Sequence, residues 1–148
     1  MPFPHRILLA SDGSPTARLA HHRTLELARA TGAEVHVVHV ALISPWTHPV
    51  PLSPALRERV EDEARPVLDS VVASFEAEGM PVTPHLRSGR ATDEILRLRD
   101  QLDADLVVLG NRGHNAFSRV LLGSDAESVV RHAPCAVLVV RADEEAGR

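Results

Sequence analysis

The segment Leu106-Val107-Val108-Leu109-Gly110-Asn111-Arg112-Gly113, followed after nine residues by Gly123-Ser124-Asp125-Ala126-Glu127, decides how this chain is read. An apolar run with the character of a buried strand leads into a glycine turn, and a second glycine opens a helix-like stretch. Gly110 and Gly113 predict a backbone that turns with positive φ and approaches a ligand with no Cβ in the way. Gly123-Ser124 predicts a helix start whose first N–H groups lack partners inside the helix. Those groups and the positive end of the helix dipole attract an anion. The order strand, G-x2-G, nine residues, G-S, helix therefore reads as a phosphate-sized cradle.

Working outward, apolar runs bounded by turn residues predict strands at about Arg6–Ser11, Val35–Val40, Val82–Leu86, Leu106–Gly110 and Ala136–Val140. Between them lie stretches of helical period, such as Ala17, Ala20, Thr24, Leu27, Ala28 and Ile95, Leu98, Leu102. The alternation predicts one α/β domain over residues 1–148, an open five-stranded parallel sheet, Rossmann-like, with helices on both faces, and the order expected for its strands is 3-2-1-4-5. Ser14-Pro15 starts the first helix and Gly32 stops it. Ser124 to Glu127 has the pattern of a capping box, and Pro134 ends the helix it opens. Pro66 is expected to kink or divide the second helix, about Ala55–Glu78. The proline-rich stretch from Ser44 to Pro54 around Trp46 reads as a loop, and the acidic tail after Arg141 as a frayed end.

Composition excludes whole classes of chemistry. All 16 basic residues are arginine, so a Walker lysine, a Schiff base and a Ser-Lys nucleophile are ruled out, and tyrosine is absent as well. A formal charge of −4 without a basic cluster argues against nucleic acid as the main partner. A single cysteine, Cys135, fits a reducing compartment. No apolar run is long enough to span a membrane, and the first residues do not read as a signal peptide, so the cytoplasm is the expected location. The nine histidines show no ligand-like spacing: His36 and His39 point to opposite faces of a strand, and His132-x2-Cys135 lacks further ligands.

In such a sheet a ligand lies past the carboxyl ends of strands one and four, where strand order reverses. This brings Ala10-Ser11-Asp12-Gly13 opposite the glycine loop, with Asp12 as a ribose or metal-bridging carboxylate and the backbone near Val40 facing a base. One glycine in the first turn, rather than G-x-G-x-x-G, disfavours NAD and FAD. Bland readings stand beside these: Ser124 as a cap only, Asp12 as a turn residue bonding its own backbone, Arg112, Arg119 and His114 as solvated loop residues.

Taken with Ile7 to Ser14, Leu27-Ala28, Gly32-Ala33, His39-Val40, Gly89, Asp105 to Gly110 and Val137 to Arg141, the glycine element resembles the universal stress protein family in its ATP-binding branch. The resemblance implies a homodimeric cytoplasmic nucleotide-binding protein. It places Ala10 in the adenine pocket, Asp12 near ribose and phosphate, Val40 at the adenine through its backbone, and Gly110, Arg112 and Gly113 in one phosphate loop. Gly123, Ser124 and Asp125 fall in a second such loop. Two positions depart from the family pattern: Ala136 replaces the usual proline, and Arg90 stands where a capping residue is common, which predicts a third helix starting near Thr92. The expected function is stress-response regulation through ATP, with Mg2+ bound alongside, and at most slow ATP hydrolysis. A weak ATPase or nucleotidyl transferase using Asp12 and His114, or a nucleotide-free dimeric chaperone module, are the alternatives. Strand order leaves the uncharged run Ala136–Val140 at a sheet edge, where a second copy of the chain is expected to pair.

Overall fold

The computed structural model describes residues 2–43, 48, 51–111 and 123–141. Five parallel strands alternate with four helices: β1 (Arg6–Ala10), α1 (Pro15–Thr31), β2 (Glu34–Leu42), α2 (Pro54–Ala77), β3 (Thr83–Gly89), α3 (Ala91–Leu102), β4 (Leu106–Gly110), α4 (Ser124–His132) and β5 (Ala136–Val140). The strands lie in the expected order β3-β2-β1-β4-β5.

Residues of opposite parity build two cores. Ile7, Leu9, Val35, Val37, Leu106 and Val108 meet α1 and α2 through Ala20, Leu25, Leu68 and Phe75 on one face. Leu8, Val38, Val40, Val107 and Leu109 meet α3 and α4 through Ile95, Leu98, Ala126 and Val129 on the other. The near-continuous apolar strands follow from this, because a sheet covered on both faces has no side left for alternating polar residues. Each such side chain contributes about 1.5–3 kcal/mol on burial.

Several details differ from the sequence reading. β2 and β3 run longer, in a ladder from His36↔Thr83 to Leu42↔Gly89, because the polar end of β3 (Arg87, Ser88) keeps its backbone pairing at the sheet edge. α2 is undivided: Pro66 lies inside one helix on an exposed position, where the carbonyl it leaves without a donor can be hydrated. α3 starts at Ala91, one residue before Thr92, without a side-chain cap at Arg90. Trp46, Arg112, Gly113, His114, Arg119 and the acidic tail fall outside the described residues.

Gly110 is placed for a different reason than expected. Positive φ occurs at Gly13 (φ 77°), in the turn after β1, and not at Gly110. A Cβ on Gly110 would stand 3.0–3.1 Å from backbone and side-chain atoms of Thr16, so this glycine serves the close approach of β4 to the first turn of α1. Gly110→Ala should therefore cost about 1–3 kcal/mol of stability in urea unfolding by overpacking, and Leu8→Ala about 2–5 kcal/mol by leaving a cavity. A Gly110→Ala protein as stable as wild type would remove the close-approach argument.

Candidate functional site

β1 and β4 pair directly, Ile7↔Leu106 to Leu9↔Val108, and the helices that follow them leave toward opposite faces of the sheet. The crevice past Ala10 and Gly110 is thus bounded by the amino ends of α1 and α4, two sources of unpaired N–H groups and positive helix dipole.

The two helix starts are built differently. At α1, Asp12 Oδ1 accepts from Ser14 N at 2.9 Å, Ser11 Oγ accepts from Gly13 N at 3.3 Å, and Ser14 Oγ accepts from Ala17 N at 3.2 Å. This start is largely satisfied by its own side chains, and Asp12 is the turn residue of the bland reading whatever else it binds. At α4 the cap position belongs to Gly123 (φ −64°, ψ 156°), no side chain caps the helix, and the first intrahelical bond runs from Glu127 N to Gly123 O. The capping box is therefore corrected: Ser124 is the first helical residue, exposed and one place too late to cap. The amides of Ser124, Asp125 and Ala126 are left facing out of the helix end. Asp125 contributes its backbone here, because its side chain turns away to accept from Thr92 Oγ1 at 2.9 Å.

Asn111, which sequence reasoning passed over, closes the neck of the glycine element. Its N–H donates to Val140 O at 3.0 Å, its carbonyl accepts from Gly123 N, and its side chain is 2% exposed. Asn111 and Gly123 thus meet directly, backbone to backbone. Asn111 Oδ1 is buried without a hydrogen-bond partner among the described residues, an uncommon condition for a native acceptor.

Ala10 and Val40 lie on the α3/α4 face of the sheet. The last β1–β2 contact is Ser11 N donating to Val38 O at 3.0 Å. Val40, two residues on, points its N–H and C=O to the same side as Val38, toward a strand that has already ended. That sets the Val40 backbone donor and acceptor past the end of β1. From the opposite parity His39 Nδ1 donates to Ser11 O at 2.8 Å and fixes the β1–α1 turn, a role no local pattern announces.

A separate cavity of about 440 Å3 opens between α1 and α2, with Gly13, His21, Pro66, Ser70 and Ser74 in its lining. It holds no nucleophile–base pair: Ser74 gives its proton to Val71 O at 2.8 Å, so toward His21 Nδ1, 3.4 Å away, the hydroxyl is an acceptor. Among the described residues no group of three or more His, Cys, Asp or Glu side chains could hold a metal ion, and no helix is long and apolar enough to cross a membrane.

The profile of the Universal stress protein family matches residues 4–141. The chain belongs to this stress-response family. It is 30% identical over 139 residues to a universal stress protein of Methanocaldococcus jannaschii, a match covering 92% of this chain and 81% of the relative. Among solved structures, a universal stress protein family member from Burkholderia pseudomallei superposes with a TM-score of 0.70 at 30% identity, covering 93% of this chain and 96% of that one. The universal stress protein of Archaeoglobus fulgidus in complex with dAMP superposes with a TM-score of 0.69 at 25% identity, covering 95% and 100%.

The unequal helix starts give a direct expectation. Ser14→Ala should lower stability by about 1 kcal/mol through loss of a cap, whereas Ser124→Ala, exposed and outside the cap position, should stay within about 0.5 kcal/mol. Equal losses in chemical denaturation would put the cap of α4 back on Ser124.

Proposed function

We propose that this chain is an ATP-binding regulatory protein of the stress response, holding the nucleotide in the crevice between β1 and β4. The observation that carries this reading is the start of α4, where a glycine cap leaves the first amides of the helix without a side-chain cap among the described residues, at the point where strand order reverses. The phosphates would lie against the N–H groups of Ser124, Asp125 and Ala126 and the Ser124 hydroxyl, with Gly110, Arg112 and Gly113 forming the first loop. Ribose would meet Asp12, and the base would take the backbone of Val40 with Ala10 at its edge. The A. fulgidus relative, whose solved complex holds an adenine nucleotide, supports the same ligand class.

Mg2+ fits this site as a companion of the phosphates. A hard cation takes oxygen ligands, and Asn111 Oδ1 is a buried carbonyl-type oxygen with no partner among the described residues. The ion would neutralise phosphate charge that the chain, lacking lysine, meets only with backbone dipoles and arginine.

A second copy of the chain is the expected partner, through β5. Its edge carries Ala136, Val137, Leu138 and Val139 with neither charge nor proline, whereas the opposite edge, β3, is blunted by Pro84 and Arg87. Val130 on α4 is 47% exposed and lies on the helix that leads into β5. Pairing there would join the nucleotide site to the dimer surface through α4, a route by which occupancy in the cytoplasm is read by other proteins.

ATP with Mg2+ at a hundredfold excess over Kd should raise stability by roughly 2.7 kcal/mol, visible as a higher melting temperature, while NAD gives much less. Mass spectrometry of small molecules released on denaturation should find an adenine nucleotide. No heat and no melting shift at millimolar ATP, with another small molecule giving both, would overturn the ligand assignment. Val139→Arg should yield monomers by light scattering, and a dimer that survives this change would place the interface elsewhere.

A further inference from the structure

At the amino end of β2, away from the crevice, three side chains form one hydrogen-bonded chain. Glu34 Oε1 lies 3.0 Å from His36 Nε2, and His36 Nδ1 lies 2.9 Å from His85 Nε2 on the neighbouring strand. The other carboxylate oxygen, Glu34 Oε2, accepts from Arg6 Nε at 2.7 Å. The imidazole centroids are 5.1 Å apart, about the nitrogen separation plus one ring radius on each side, so the rings meet edge to edge. Their nitrogens aim at each other and not at a common third point. The pair shares a proton and does not chelate an ion.

The protons can be placed by elimination. A carboxylate only accepts, so His36 Nε2 carries hydrogen; neutral His36 then offers Nδ1 as acceptor, and His85 Nε2 must be the donor. One added proton on His85 Nδ1 leaves this chain intact. A second, on His36 Nδ1, sets N–H against N–H across 2.9 Å. The surroundings offer one carboxylate to balance it: Arg6 from β1 and Arg87 on β3 add positive charge, and α3, packed on this face, pairs Glu94 with Arg97 and Arg99 with Asp100 and Asp103. On the opposite face, Glu78 beyond α2 is paired with Arg29.

We propose that Glu34, His36 and His85 form an acid-sensitive clasp that holds edge strand β3 on β2 while the imidazoles carry at most one extra proton and loosens it when both are charged. Among the described residues β3 has no strand on its other side, so this cross-strand bond is a side-chain tie that the ladder alone does not duplicate. Loosening reaches further than the strand. Ser88 on β3 accepts from Arg57 and donates to Glu61 of α2, and Gly89 O accepts from Ile43 N just past β2. Burial, then the charges of His36 and Arg87, push the His85 pKa below the ordinary histidine value, while the Arg6 and His36 hydrogen bonds keep Glu34 ionised by lowering its own. The folded state thus prefers neutral His85. The stability this gives is full above about pH 6.5, the unfolded value, and is lost as pH falls through the lower folded value.

The test compares wild type with His85→Gln, whose amide still donates to His36 Nδ1 but takes no proton. Denaturant unfolding of the full chain at neutral and acid pH should show wild type losing more stability than the variant. Hydrogen-exchange protection in β3 should fall on acidification relative to β4 in wild type and hold in the variant. Equal pH dependence of both proteins, or β3 protection that does not respond to pH, would overturn the clasp. Should His85→Gln fail to fold, imidazole NMR titration of wild type decides. Two coupled steps, one below the usual histidine range, are expected, and two independent titrations at the ordinary value would refute the proposal.

Discussion

The short parallel ladder between β1 and β4 is the contact on which the rest of this molecule depends. It joins two strands that are neighbours in the sheet but separated in the chain by two complete strand–helix units, and the direction of winding reverses across it. Because α1 and α4 leave that seam toward opposite faces, their amino ends cannot close over it. A crevice flanked by two helix starts is the geometric result. Gly110 keeps the seam tight, since any Cβ there would press on Thr16 in the first turn of α1.

The two helix starts that flank the crevice are unequally satisfied. Ser14, Asp12 and Ser11 consume the donors of the β1–α1 turn, which makes that side of the crevice rigid and its carboxylate part of the fold. Gly123 brings no side chain, so the first turn of α4 has no side-chain cap among the described residues. Preorganised backbone amides lose no side-chain entropy when they meet an anion.

The sequence was legible where a rule is local and strong. β4 ends where its apolar run ends, because both its faces are covered and the next residue, Asn111, is a turn former, and β5 spans the uncharged run Ala136–Val140. The ends of β2 and β3 were not legible, since edge residues such as Arg87 belong to the strand through backbone pairing alone. Ser124 to Glu127 satisfied the capping pattern, yet the helix begins one residue earlier, a choice fixed by the bond from Gly123 to Asn111 across the loop neck. His39, Asn111 and the His36–His85 pair were hidden for a common reason. Their partners lie far away in sequence, 49 residues in the last case, and no periodicity reports such a meeting.

In the proposed complex the nucleotide is held by the amides at the start of α4 and by the backbone past the end of β1. Amide NMR of the full chain titrated with ATP and Mg2+ addresses this residue by residue. Saturable shifts at Ser124, Asp125, Ala126 and Val40, with the α1–α2 cavity around His21 and Ser74 unmoved, are the predicted result. Shifts centred on that cavity, with the start of α4 unchanged, would contradict it.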